Sequence, residues 1–278
     1  MNLMRCCRAV LCAAVLLLLP SVLRAQAKAA EPVRVLLCDT PGERAPAWMA
    51  KQGPDIAVLT GYAPADAAAA AAYAARYGHP YAAVSDSRVG RVTVTSKYPI
   101  ETVAAALDTP GDPGFLHVRI AGRDFVVLRL TPFDGYHRLR EAEDAVRYLE
   151  VHQLTETCTI LGSFGSVPLA DQEALRDAPG ALGTLAGGTD AMALGTLDAA
   201  VQATFMALSY HDPLSDFVPL SRRTRGFLAE TPSVHTLHIL VPKADTKNVR
   251  GAAVYEAYPE RTYFGATPVS VTFAPNAN

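Results

Sequence analysis

Short runs of β-branched and aliphatic residues alternate with helix-forming or turn-rich stretches along most of the 278-residue chain, and this alternation restricts the folds that it can adopt. A short apolar run between turn residues predicts a buried strand. Such runs occupy residues 33–38, 56–59, 92–95, 116–120, 125–130, 158–161, 236–241 and 269–273. Residues 121–124 separate two of these runs closely enough to predict a hairpin turn.

Helices are predicted in three stretches between these strands. Residues 44–51 could form a short helix, and residues 65–77 are rich in alanine, the strongest helix former, and end at Gly78. Residues 138–151 have apolar side chains at helical spacing, which predicts one buried face made of Leu139, Ala142, Val146 and Leu149. Strands and helices interleaved in this way predict mixed sheets flanked by helices.

The first 27 residues have the pattern of a secretory signal peptide. Arg5 and Arg8 precede the apolar run 9–19, and Ala25-Gln26-Ala27 is the small-x-small site that a signal peptidase cleaves. The apolar run is short for a membrane span, although a retained N-terminal anchor is the alternative. We therefore expect an exported protein, periplasmic or extracellular, with one domain over residues 28–278 and no transmembrane segment after cleavage.

Cleavage after Ala27 would leave 22 basic and 27 acidic residues, a net formal charge of −5. A protein that grips nucleic acid normally carries a basic excess, so nucleic acid is not the expected partner. The processed chain would keep two cysteines, Cys38 and Cys158, both in strand-like apolar runs. An oxidising compartment would permit a disulfide between them, and two free buried thiols are the alternative.

Seven segments resemble, in chain order, the signatures of the endonuclease/exonuclease/phosphatase family. GRVTVTSKYPI at 90–100 is close to the family's G-x-apolar-x-S-[RK]-Y-P-I, and ILGSFGSVP at 160–168 resembles ILGGDFNSxP. The remaining segments are 33–40, 53–62, 125–131 with the helix 138–150 after it, 236–241 and 264–269. The resemblance implies the DNase I-like fold, a four-layer α/β/β/α sandwich of two mixed sheets flanked by helices.

The same resemblance locates the positions where active members hold a divalent metal, usually magnesium, and activate water for attack on phosphorus. Such chemistry needs several oxygen ligands, a positioned base and stabilisation of negative charge. In this chain the matching positions carry Asp39, Gly61, Leu130, Ser163, Gly165, Leu237, Gly265 and Ala266. The resemblance matches the family's first histidine to Leu130, or to a residue one position away. We assign no catalytic residue, predict a pseudoenzyme related to hydrolases, and expect no cofactor.

Polar residues next to these positions are predicted to line the former active-site cleft. They are Asp39, Thr60, Tyr62, Arg129, Thr131, Ser163 and Ser166. An arginine beside hydroxyls suits an anionic or sugar-like ligand, whereas the alternative is that these groups satisfy one another. The expected partner is an unidentified ligand or an envelope protein. The competing hypotheses are a structural component of the cell envelope and a divergent phosphoesterase or nuclease, dependent on Mg²⁺ or Mn²⁺, with a relocated site at Arg129 and His137.

Overall fold

The computed structural model describes residues 31–87, 90–107, 109, 113–131, 134–171, 192–193, 196–223, 237–255 and 266–275. The predicted signal peptide and Gly265 lie outside the described residues. No helix in these ranges is both long and apolar enough to cross a membrane.

Fourteen strands and six helices account for the described secondary structure. The strands are β1 (Val33–Asp39), β2 (Ile56–Thr60), β3 (Tyr81–Val84), β4 (Val92–Ser96), β5 (Ile100–Ala104), β6 (Gly114–Ile120), β7 (Arg123–Arg129), β8 (Cys158–Ser163), β9 (Met192–Ala193), β10 (Thr196–Leu197), β11 (Tyr210–His211), β12 (Leu237–Pro242), β13 (Val249–Val254) and β14 (Val269–Phe273). The helices are α1 (Ala45–Gln52), α2 (Ala67–Ala74), α3 (Gly135–Val151), α4 (Ala200–Ala207), α5 (Leu214–Phe217) and α6 (Leu220–Arg223), with 3₁₀ turns at Ala75–Tyr77, Leu169–Asp171 and Lys243–Asn248.

Twelve of the strands form two six-stranded mixed sheets. The first has the order β13-β14-β1-β2-β4-β3 and the second β11-β12-β8-β7-β6-β5, while β9 and β10 pair as a separate ribbon. Each sheet contains one parallel pair, β1 with β2 and β7 with β8, and its other pairs are antiparallel. A parallel pair needs a crossover connection, and α1 and α3 provide it.

Three hydrophobic clusters separate four layers. The largest lies between the sheets and takes alternate residues of both, such as Val35, Leu37, Val127 and Ile239. A second cluster packs α3 and α4 against the outer face of the second sheet. A third packs α1 and α2 against the outer face of the first sheet. The predicted α/β/β/α sandwich is therefore confirmed.

Most predicted elements are present within a residue or two of their expected bounds. Helix α1 ends at Gly53 and the helical stretch after α2 ends at Gly78, and both glycines adopt the left-handed conformation that stops a helix. Short strands without a clear apolar pattern, β3, β5 and β13, were not predicted. The residues of β5 are largely exposed, so its sequence shows no alternation of apolar and polar residues that would predict a strand.

Helix α3 buries a different face from the one that its apolar spacing predicts. Ala142 and Leu149 are buried as expected, but Leu139 and Val146 are partly exposed. Arg138 and Glu141 lie inside instead. The prediction failed because a buried arginine and a buried glutamate look like surface residues in sequence; here each is paired, as buried charges must be.

Cys38 and Cys158 do not form a disulfide. Cys38 lies in the cluster outside the first sheet and Cys158 in the cluster outside the second, and both thiols are buried and free. Two sheets therefore separate these residues. Burial raises the pKa of both thiols, so each behaves as a small apolar side chain.

Candidate functional site

The ends of the central strands of both sheets meet at one end of the sandwich. In the first sheet, Asp39 is in register with Thr60, and Thr60 with Val92. In the second, Ser163 is in register with Arg129 on one side and with Leu237 on the other. The two sets lie close together because the backbone at Gly90, which leads into β4, contacts Gly114 and Arg129 of the second sheet.

The side chains at these strand ends continue the face that packs between the sheets. Residues in register share a face of a sheet, and alternate residues along a strand return to it. Val92 and Leu237 belong to the cluster between the sheets. Their partners Asp39, Thr60, Arg129 and Ser163 therefore point to the same space, which we call the strand-end cleft. Of these four, Thr60 is buried and the others are partly exposed.

Asp39 is the carboxylate of the strand-end cleft, and hydroxyl groups already occupy both of its oxygens. Thr60 donates from Oγ1 to Oδ1 at 2.7 Å, and Thr40 donates from Oγ1 to Oδ2 at 2.9 Å. Gly61, which the sequence resemblance matches to the family's metal-binding glutamate, has φ +69°. A Cβ atom at Gly61 would lie 2.6 Å from Thr40 Oγ1 and 3.2 Å from Asp39 Oδ1. A side chain at Gly61 would therefore displace the Thr40 hydroxyl.

The residues of the strand-end cleft do not fit a divalent metal of the magnesium type. Such an ion takes several oxygen ligands, usually with carboxylates among them. The cleft offers one carboxylate, and both of its oxygens accept hydrogen bonds from hydroxyls. Across the described ranges, no group of three or more histidine, cysteine, aspartate or glutamate side chains is arranged to hold a metal. We therefore derive no metal-dependent step for this cleft.

Arg129, and not Leu130, faces the strand-end cleft at the end of β7. Leu130 is 2 % exposed and packs in the cluster beneath α3, on the other side of the sheet. Strand alternation places Arg129 on the face of Phe125 and Val127, between the sheets. A shift of the family register by one residue, from Leu130 to Arg129, would therefore place the matched position in the cleft.

The end of β8 and the loop after it contain Ser163 and Gly165, which the sequence resemblance matches to an aspartate and an asparagine of the family. A Cβ atom at Gly165 would lie 3.1 Å from both Cδ and Nη1 of Arg138. Arg138 is fully buried and donates to Asp198 at 2.7 Å and to the backbone oxygen of Thr131. The space that an asparagine would enter at Gly165 is thus bounded by a buried arginine.

Three predicted cleft residues lie outside the strand-end cleft. Tyr62 packs against α2, with its ring centroid 4.6 Å from that of Tyr73. Thr131 donates from its backbone nitrogen and its hydroxyl to Glu141 at 2.7 and 2.5 Å. Ser166 is fully buried, and its hydroxyl has no hydrogen-bond partner among the described residues.

A polar network behind the cleft was missed by the sequence analysis. Glu141 and Arg138 of α3 tie the loop after β7 to the segment before α4, which contains Asp198. Burial raises the pKa of Glu141 even though Thr131 donates to it. The 138, 141, 142, 145, 149 spacing of the buried face is the signal that could have revealed this network.

The N-terminus of α3 presents an exposed histidine. Asp134 caps the helix by accepting from the backbone nitrogen of His137 at 3.0 Å, and its second oxygen contacts His137 Nδ1 at 2.7 Å. These two hydrogen bonds lower the pKa of Asp134. His137 is therefore oriented by a carboxylate. His137 lies in the first turn of α3, the helix that follows β7.

Comparison with solved structures places this arrangement in a known fold. An AP endonuclease from Archaeoglobus fulgidus matches with a TM-score of 0.65 and 15% identity over 87% of this chain and 99% of that one. A 3′-5′ exonuclease from Neisseria meningitidis matches with a TM-score of 0.58 and 15% identity over 87% and 100%. The endonuclease domain of the retrotransposon TRAS1 matches with 0.52 and 9% over 89% and 100%.

No protein-family model and no curated protein sequence matches the chain. The structural matches have low sequence identity, so they establish the fold alone. The chain shares the fold of these nuclease structures, which is the DNase I-like fold that the sequence resemblance predicts.

Proposed function

We propose that this chain is an exported, non-catalytic protein that uses the DNase I-like fold to bind a ligand or an envelope partner at the strand-end cleft. The observation that carries the proposal is the crowding at two positions that the sequence resemblance matches to functional groups of the family. Thr40 fills the space beside Gly61, and Arg138 fills the space beside Gly165. Asp39 is engaged by two hydroxyls.

The scale of the expected loss in activity supports a binding role. Removing a single base or charge stabiliser typically lowers a rate by two to four orders of magnitude. Here the metal carboxylate, the asparagine and the aspartate of the family pattern are replaced together by Gly61, Gly165 and Ser163. Even with strong non-additivity, little activity by the family mechanism is expected.

An activity panel tests the non-catalytic proposal. Residues 28–278 are assayed with bis-p-nitrophenyl phosphate, DNA and a phospholipid, each with Mg²⁺, with Mn²⁺ and with a chelator. We expect hydrolysis no faster than in the protein-free blank under all conditions. Metal-dependent hydrolysis that disappears in Asp39→Ala would overturn the proposal.

N-terminal sequencing of the protein from an envelope or culture fraction tests export, and a mature chain beginning after Ala27 is the expected result.

The second candidate function is a phosphoesterase whose site has moved to the loop after β7. The exposed His137, oriented by Asp134 at 2.7 Å, is the observation that favours it, because a histidine held by a carboxylate is a common general base. The chain offers a matched control on β11, where His211 contacts Asp216, also at 2.7 Å. Activity that is lost in His137→Asn and kept in His211→Asn would support this second function, and the same activity in both variants would exclude it.

The molecule bound at the strand-end cleft could instead be an envelope protein. Pull-down from envelope extracts with the folded chain would identify a stoichiometric partner. Loss of that partner in Arg129→Gln would place its contact at the strand-end cleft, whereas unchanged capture would place the contact elsewhere on the surface.

A further inference from the structure

Arg129 is held at the strand-end cleft by the backbone on either side of it. A Cβ atom on Gly114 would lie 1.9 Å from the backbone oxygen of Gly90 and 2.8 Å from Cβ of Arg129. Gly90 has φ +79°, and a Cβ atom there would lie 3.6 Å from Cδ of Arg129. Glycine at both positions therefore lets the backbone lie against the stem of the arginine, which orients the guanidinium group toward the cleft.

The guanidinium group of Arg129 has no hydrogen-bond or ion-pair partner among the residues that the structure describes. Asp39, the carboxylate of the cleft, is bonded by Thr40 and Thr60 instead. Other arginines of the two sheets are engaged: Arg119 contacts Asp124 at 3.1 Å, and Arg123 contacts Asp245 at 2.9 Å. Arginine is well suited to bind carboxylates and phosphates, so a partly buried arginine with no counter-charge among the described residues is a candidate anion-binding position.

A hydroxyl donor stands beside this arginine. Ser163 is in register with Arg129 across the parallel β7–β8 pair, and it is partly exposed. A guanidinium group presents a planar fork of N–H donors that matches the oxygens of an oxyanion, and an adjacent hydroxyl adds a further donor. No carboxylate other than Asp39 lies among the described strand ends that form the cleft, so an incoming anion would meet little repulsion.

We propose that Arg129 and Ser163 form a binding site for a single oxyanion that requires no metal ion. The expected ligand class is a phosphoryl or carboxylate group, either as a free ion or at the end of a larger molecule. The inference rests on the proposed non-catalytic function in one respect: the anion is bound and not hydrolysed. The proposed function is thereby extended in two ways: the ligand carries an oxyanion, and Arg129 selects it.

Isothermal titration of residues 28–278 in the presence of a chelator tests the site. The probes are inorganic phosphate, glycerol 3-phosphate and acetate, each at constant ionic strength. We expect at least one of them to bind with a Kd of about 1 mM or tighter and a stoichiometry near one. The ranking of the three probes distinguishes a free ion, an organic phosphate and a carboxylate as the source of the anion.

Two variants decide whether Arg129 makes the contact. Arg129→Gln removes the charge and should weaken binding by about tenfold or more, since the hydrogen bonds to a charged group are lost. Arg119→Gln, an exposed arginine on the neighbouring strand β6, is the matched control and should bind as the unaltered chain does. Circular dichroism and thermal unfolding confirm that both variants are folded. If no probe binds, or if Arg129→Gln and Arg119→Gln bind equally well, the proposal is wrong.

The hydrolysis panel separates this inference from the proposed function. Anion binding that depends on Arg129, together with metal-dependent hydrolysis, would leave the oxyanion site standing and overturn the non-catalytic role. Absence of both binding and hydrolysis would overturn the oxyanion site and leave the non-catalytic role intact.

Discussion

Arg138 donates a 2.7 Å hydrogen bond to Asp198, and both side chains are sealed from solvent, with exposures of 0% and 3%. Arg138 also holds the backbone oxygen of Thr131, so one buried ion pair links the loops on the second-sheet side of the cleft. Such a pair stabilises the fold by less than its Coulomb energy suggests, because both charges lose their hydration. Removing one partner, however, leaves an uncompensated buried charge.

Arg138→Met should therefore lower the free energy of unfolding by about 3–5 kcal/mol, because Asp198 would remain buried without its counter-charge. Chemical denaturation followed by circular dichroism measures the effect. The same substitution at Arg140, which forms an exposed pair with Glu143 on the same helix, should change the free energy by less than about 1 kcal/mol. Equal effects at the two positions would mean that the Arg138–Asp198 pair does not stabilise the fold.

Gly61 offers a test of whether the metal position can be rebuilt. Gly61→Glu should not produce tight Mg²⁺ or Mn²⁺ binding, because its side chain would first have to displace Thr40 from Asp39. It should also destabilise the fold by about 1–3 kcal/mol, since a non-glycine residue would adopt a left-handed conformation. Titration calorimetry measures metal binding, and thermal unfolding measures stability.

The chain provides a control for the backbone part of this effect. Gly53 has φ +60°, close to the +69° of Gly61, and a Cβ atom there would meet nothing within 4 Å. Gly53→Ala thus reports the conformational strain alone, whereas Gly61→Ala adds the contact with Thr40. If Gly61→Ala is no more destabilising than Gly53→Ala, the space beside Gly61 is open, and one support of the proposed function is lost.

The parts of the fold that could be predicted from sequence are those where burial imposes a regular pattern. Strands β1, β2, β7, β8 and β14 are buried on both faces or nearly so, and they read as continuous apolar runs. Edge strand β5 is largely exposed and has no such pattern. Short signatures suggest the positions of the former catalytic groups, and that assignment stays a prediction.

The site was harder to predict because it depends on which way side chains point. Arg129 and Leu130 are neighbours in sequence, and only the sheet alternation assigns Arg129 to the cleft and Leu130 to the core beneath α3. Tyr62 was expected in the cleft but stacks on Tyr73 in the outer layer. The pairing of Arg138 with Asp198 is hard to predict because the two residues lie 60 positions apart in the chain.

Thiol reactivity tests the arrangement of the two layers outside the sheets. Residues 28–278 contain Cys38 and Cys158, and both are fully buried and free. Burial raises the pKa of each thiol, so little thiolate is available near neutral pH. The folded protein should react slowly with a thiol reagent such as DTNB, and the unfolded protein should react at two sites without prior reduction. A denatured, unreduced chain with no reactive thiols would indicate a disulfide and a different packing of the layers.

Stability should fall as the pH drops from about 6.5 to about 4, and His238 should account for much of the change. This histidine is 1% exposed, stacks on Phe164 and contacts the backbone oxygen of Ser166 at 2.8 Å. Burial lowers its pKa from 6.5 to about 4. Above pH 6.5 neither the folded nor the unfolded chain carries this proton. Between the two values the unfolded chain binds a proton that the folded chain refuses, so acid favours unfolding.

The expected loss from His238 is about 3 kcal/mol, complete below pH 4, because each pKa unit corresponds to about 1.4 kcal/mol. Burial also lowers the pKa of His79 and His117, which adds in the same direction, whereas the raised pKa of Glu141 opposes it. Urea denaturation at a series of pH values should give a shallower pH dependence for His238→Asn than for the unaltered chain. His152→Asn, at an exposed position, should keep the original slope. The same slope in all three proteins would show that His238 takes up its proton equally in the folded and unfolded chains, which is incompatible with its burial against Phe164.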